Sequence, residues 1–154
     1  MNQSDFYIGA FLSKVVRKGR VALIETVRDT GKLFLVETNG SSGSVKFYVK
    51  YSATVRPSGN NQFWQFTINE QEMEKIKSHS PNICLVCGDP SKLSGKFGYL
   101  CLIETTWLNE ILELDSLEAQ SIRVVNKPRS SLRVSSSKVS KRIVSKNALD
   151  DFFK

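Results

Sequence analysis

Apolar residues first recur with a helical period and then at every second position, and that change divides the chain into elements. Ser4 is placed to cap a helix whose inward positions are Tyr7, Phe11 and Val15, with Ala10 on the adjoining row, and Gly19 ends it. The runs RVALIETV and KLFLVET alternate on either side of RDTG, where aspartate and glycine supply turn chemistry, so a β-hairpin is predicted. After the loop NGSSGS comes VKFYVKYSA, a third strand with Phe47, Val49, Tyr51 and Ala53 on one face and Lys46, Tyr48, Lys50 and Ser52 on the other. RPSGNN interrupts the pattern, and QFWQFTI resumes it with Phe63 and Gln65 opposite Trp64 and Phe66.

NEQEMEKIKSH returns to helical spacing, with Asn69 as cap, Glu72 at the return position of a capping box, and Met73 and Ile76 as the inward stripe. NICLVCG is a continuous apolar run between Pro81 and Gly88, which predicts a strand buried on both faces. GYLCLIE reads in the same way, and TTWLNEILEL predicts a helix with Trp107, Leu108, Ile111 and Leu112 inward. From Gln120 onward serine and basic residues dominate. The short apolar pairs there, Leu132 with Val134 and Ile143 with Val144, fit one or two edge strands or a disordered tail. The pattern therefore predicts an α/β or α+β domain over residues 1–119, a mixed central sheet flanked by helices, followed by a basic segment over 120–154.

Charge sharpens that division. The formal net charge is +7, and residues 120–154 supply all of it through Arg123, Lys127, Arg129, Arg133, Lys138, Lys141, Arg142, Lys146 and Lys154 against Asp150 and Asp151. A neutral body with a basic segment is the asymmetry expected of a protein that meets phosphate backbones or another acidic surface. On this reading the first eight of those cations are the candidate nucleic-acid contacts, and removing the segment leaves the body folded. No run approaches the roughly 18 apolar residues of a membrane span, and the start MNQSDFYIGAF lacks the features of a secretory signal. An intracellular protein, cytoplasmic or nucleoid or nuclear, is expected.

Lys50, set in an apolar β-prone run, raises the question of catalysis. Helix, hairpin, third strand with a lysine, helix and buried strand together resemble the core of the PD-(D/E)xK nuclease superfamily. That resemblance implies a metal-dependent nuclease-like fold, in which an acid near the end of the second strand and an acid two residues before the lysine hold Mg²⁺ and the lysine assists the attacking water. Glu37 and Lys50 stand at two of these positions, as candidate metal ligand and catalytic lysine, with Glu25 or Asp5 as a further carboxylate. Tyr48 stands where the second acid belongs, and a phenol does not hold Mg²⁺ as a carboxylate does. A degenerate core that binds more than it cuts is the expectation, with no cofactor, or Mg²⁺ if the site is active.

Cys84 and Cys87 have the C-x-x-C spacing of a zinc knuckle, and CLVCGDPSKLSGKFGYLC resembles the first half of a nuclear-receptor-type finger. Glu104 stands at the place of the fourth cysteine, and Ile83, Leu85 and Val86 around the pair suit a buried strand. Core thiols, rather than zinc, are expected. Finally, KNALDDFFK resembles a sliding-clamp-binding peptide of the PIP-box type. Leu149, Phe152 and Phe153 match its hydrophobic positions, and Lys146 stands where glutamine belongs. That resemblance implies a protein partner, so the rival to nucleic-acid association is a non-catalytic adaptor or inhibitor docking through its C-terminal segment.

Overall fold

The computed structural model of the chain describes residues 3–18, 21–26, 32–38, 43–90 and 98–153. Its elements are α1 (Gln3–Lys18), β1 (Val21–Thr26), β2 (Leu33–Thr38), β3 (Ser44–Ser52), β4 (Arg56–Ser58), β5 (Asn61–Ile68), α2 (Glu70–His79), β6 (Asn82–Gly88) and β7 (Gly98–Ile103). After a 3-10 turn at Thr105–Trp107 follow α3 (Leu108–Ile111), β8 (Gln120–Asn126), β9 (Leu132–Ser136), β10 (Arg142–Val144) and α4 (Ala148–Phe152). The fold is α+β.

Two sheets form, rather than one central sheet. The first has the order β1-β2-β3-β6-β7, a meander of antiparallel strands joined to the hairpin β6–β7 by the parallel pair β3–β6. The second has the order β10-β9-β8-β5-β4 and is antiparallel throughout.

The alternation in β3 decides how the layers stack. Phe47 and Val49 face a cluster closed by Tyr7, Phe11 and Val15 of α1 and by Leu149 of α4. Tyr48, one residue out of phase, faces the opposite cluster, where α2, α3 and the inner face of the second sheet meet the first. β6 is buried along its whole length because it contributes to both clusters, as its unbroken apolar run requires. Two links fix the layers. Trp64 of β5 donates its indole N–H to the Gly88 carbonyl at 2.8 Å, and the ring of Tyr7 occupies the space a Cβ on Gly88 would need.

The α2 capping box forms as its sequence implies, with Asn69 and Glu72 bonding each other's backbone N–H. RPSGNN does not simply interrupt. Arg56–Ser58 pair with β5 through a two-residue turn, Gly59 supplies the positive φ of 62°, and Pro57 is tolerated because β4 is an edge strand. TTWLNEILEL yields only a 3-10 turn and one turn of α-helix, although its inward residues are the expected ones. The predicted β1–β2 turn, residues 28–31, lies outside the described residues.

The largest correction concerns residues 120–154. They are not a tail, and of the three strands they supply only β10 is an edge strand. β8 lies in the middle of the second sheet, paired to β5 from Gln62↔Asn126 to Ile68↔Gln120 and to β9 on its other side. A boundary at residue 119 would cut through that sheet. The period-two alternation of SIRVVN and LRVS is a strand signal, with Ile122, Val124, Leu132 and Val134 inward and arginines outward, and the abundance of serine and charge masks it.

Candidate nucleic-acid interface

Lys50 has a different partner from the one the nuclease resemblance implies. Antiparallel register pairs Glu37 with Ser44, six positions before Lys50 along β3. At about 3.4 Å per residue that is roughly 20 Å, so the two do not share a site. The β2 residue opposite Tyr48 is Leu33, fully buried. The carboxylate that meets Lys50 comes instead from α2, where Glu72 accepts from Lys50 Nζ at 2.6 Å and from the Tyr48 hydroxyl at 2.5 Å. Its Oε1 also accepts the Asn69 N–H that completes the capping box.

Burial raises the Glu72 carboxyl, but the hydrogen bonds from Lys50, Tyr48 and Asn69 outweigh it and hold the group below its ordinary value. Burial, followed by the Glu72 contact, pushes the Tyr48 phenol upward and keeps it a neutral donor. A single carboxylate whose oxygens are already occupied by two side-chain donors and a backbone N–H does not suit Mg²⁺, which needs a set of open oxygen ligands. The residues around Lys50 therefore do not fit the metal that the resemblance implies. Asp5 lies in the first turn of α1, and the side chain of Glu25 lies outside the described residues. Among the described residues no group of three or more histidine, cysteine or acidic side chains is placed to hold a metal.

The cysteines are core residues. Cys84 and Cys87 are three apart on β6 and join opposite clusters, so one ion cannot take both thiolates while the strand persists. Burial pushes the Cys101 thiol up to about 12 and the other two well above their ordinary value.

The eight candidate cations separate into two groups. Lys138 bonds the Asn109 carbonyl and lies 3.8 Å from Glu113. Arg142 pairs with Glu110 and stacks at 4.1 Å over Trp107, and Lys146 sits 4.7 Å from the Tyr99 ring centroid. These three hold the second sheet and the C-terminal segment against the rest of the fold. Arg123, Lys127, Arg129, Arg133 and Lys141 have no ion pair with a described carboxylate. Arg123 and Arg133 project from the outer face of the second sheet, Lys127 and Arg129 lie in the β8–β9 turn, and Lys141 precedes β10. Arg129 is held at φ 62°, a conformation that non-glycine residues rarely adopt.

Sequence reading missed the rest of this face. The register aligns Arg56, Phe63, Val125, Arg133 and Ile143 across all five strands, with Gln65, Arg123 and Ser135 in the neighbouring row. No aspartate or glutamate projects from it, and its residues are exposed or half-exposed, Ile143 at 54%. The Arg123 guanidinium lies 4.4 Å from the Phe63 ring centroid. Such a face offers cations without a described carboxylate partner beside flat and apolar surface.

The clamp-peptide residues are used within the fold. Leu149 is buried, and Phe152 and Phe153 lie with ring centroids 5.6 and 6.0 Å from Phe47. Docking them on a partner would require α4 to leave the first sheet.

Comparison with family models, with curated proteins and with solved structures finds no match to this chain. No described helix is long and apolar enough to cross a membrane.

Proposed function

We propose that the protein binds nucleic acid inside the cell, without cutting it, through the outer face of its second sheet. The observation that carries this reading is the charge of that face. Every charged side chain projecting from it is an arginine, and the adjoining turns add Lys127, Arg129 and Lys141, none paired with a described carboxylate. Cations left unneutralised on an open face are what a phosphate backbone recruits. The order of helix, three-stranded meander, helix and parallel strand, with β4 and β5 of the second sheet inserted before α2, supports kinship of the first sheet with the nuclease core. The occupied oxygens of Glu72 support a core that retains the shape without the metal chemistry.

Fluorescence anisotropy of labelled oligonucleotides tests the reading. If about five phosphates are engaged, affinity should fall on the order of a hundredfold between about 50 and 200 mM salt. Replacing both Arg123 and Arg133 by glutamine should weaken binding about tenfold or more and leave the Tm near its original value. Lys138→Ala and Arg142→Ala should do the opposite, lowering the Tm with little change in affinity. Oligonucleotide affinity indifferent to loss of the two arginines would remove the face from consideration.

A further inference from the structure

Taking the nucleic-acid reading as its premise, we infer that the outer face is built for single strands, whose bases stack on the platform made by Phe63 and Arg123. The row from Arg56 to Ile143 crosses five strands, and at about 4.8 Å per strand it spans roughly 19 Å. Cationic and apolar groups are interleaved along it, with Phe63 and Val125 between Arg56 and Arg133 and Ile143 beyond. A duplex presents this surface with hydrated phosphates and hidden bases, so apolar groups in the row would lose water without gaining a partner. A single strand presents both phosphates and unpaired bases.

The stacking geometry favours the second partner. The Arg123 guanidinium covers the Phe63 ring at 4.4 Å, and planar guanidinium and aromatic groups are the surfaces on which splayed bases stack. A sheet face that no described helix covers carries such a platform well, because alternate side chains all project to one side. Charge complementarity alone would fit an acidic protein equally. The apolar groups set between the arginines are what select bases.

The test compares four ligands at one salt concentration: a mixed-sequence DNA oligonucleotide, the RNA strand of the same sequence, the DNA duplex, and a DNA strand of equal length with abasic sites throughout. One or both natural single strands should bind at least about tenfold more tightly than the duplex and the abasic strand. Phe63→Ala should bring them down to the abasic level while the slope of affinity against salt stays the same. Phe63→Leu, which keeps an apolar group on the strand, should do likewise at unchanged Tm, and Phe63→Trp should restore stacking. Equal binding of abasic and natural strands, or tighter binding of the duplex, would overturn the single-strand inference and leave the nucleic-acid reading standing. Absence of binding to all four would overturn both, and the acidic-protein alternative would then take their place.

Discussion

A chain ending at residue 119 is expected to lose cooperative folding, not to shed a disordered appendage. The deletion removes three of the five strands of the second sheet and takes β8 from the long edge of β5. It also removes Ile122, Val124, Leu132, Val134, Val144 and Leu149, all buried. At about 1.5–3 kcal/mol for each buried aliphatic side chain the loss exceeds about 9 kcal/mol, against a typical total stability of about 5–15 kcal/mol. Trp64 and Phe66, on the inner face of the remaining β5, would lose these neighbours in their cluster as well. Near-ultraviolet circular dichroism and urea unfolding decide the matter. A shortened chain that keeps a sharp urea transition and its aromatic signal would mean that the first sheet and its helices form an independent unit.

Period and capping were the legible part of this protein. The α1 stripe, the two faces of β3, the capping box of α2 and the two-sided burial of β6 each follow from residues a few positions apart, so local spacing suffices to find them. Pairings between distant segments were not legible. Glu37 and Lys50 look like members of one site if β2 and β3 are imagined in a convenient register, but the register sets Leu33 beside Tyr48 and sends Glu37 to the far end of the strand. Glu72 was visible only as a capping residue. Its second role depends on α2 crossing the Tyr48 and Lys50 face, which no local pattern encodes. The outer face of the second sheet was hidden for a related reason. Arg123 and Arg133 sit in a stretch whose serine and charge content resembles a tail, although each alternates with buried aliphatic residues. Alternation alone sets Phe63 opposite Trp64, but only strand pairing brings it beside Val125 and Arg123.

Glu72→Ala is expected to destabilise the protein by about 3–5 kcal/mol, the scale for breaking a buried ion pair from one side. The Lys50 and Glu72 side chains are 16% and 9% exposed, so water screens their interaction little. Loss of the carboxylate leaves the Lys50 ammonium and the Tyr48 hydroxyl without their partner and opens the α2 capping box at the same time. Glu72→Gln is milder at neutral pH, because an amide oxygen still accepts one of these donors. It differs in its pH response. The Glu72 carboxyl is held below its usual 4.5, so its contribution is fully present above that pH and is lost as the pH falls through the folded-state value. Urea midpoints should therefore fall more steeply with acidification in the natural chain than in Glu72→Gln. Lys50→Met should cost less than Glu72→Ala, since Tyr48 and Asn69 still serve the carboxylate. Mg²⁺ or Mn²⁺ should leave the Tm of the natural chain unchanged, because Glu72 already has its donors. A metal-dependent rise in Tm that Glu72→Gln abolishes would falsify the structural assignment of the pair and return Lys50 to the role of a catalytic lysine.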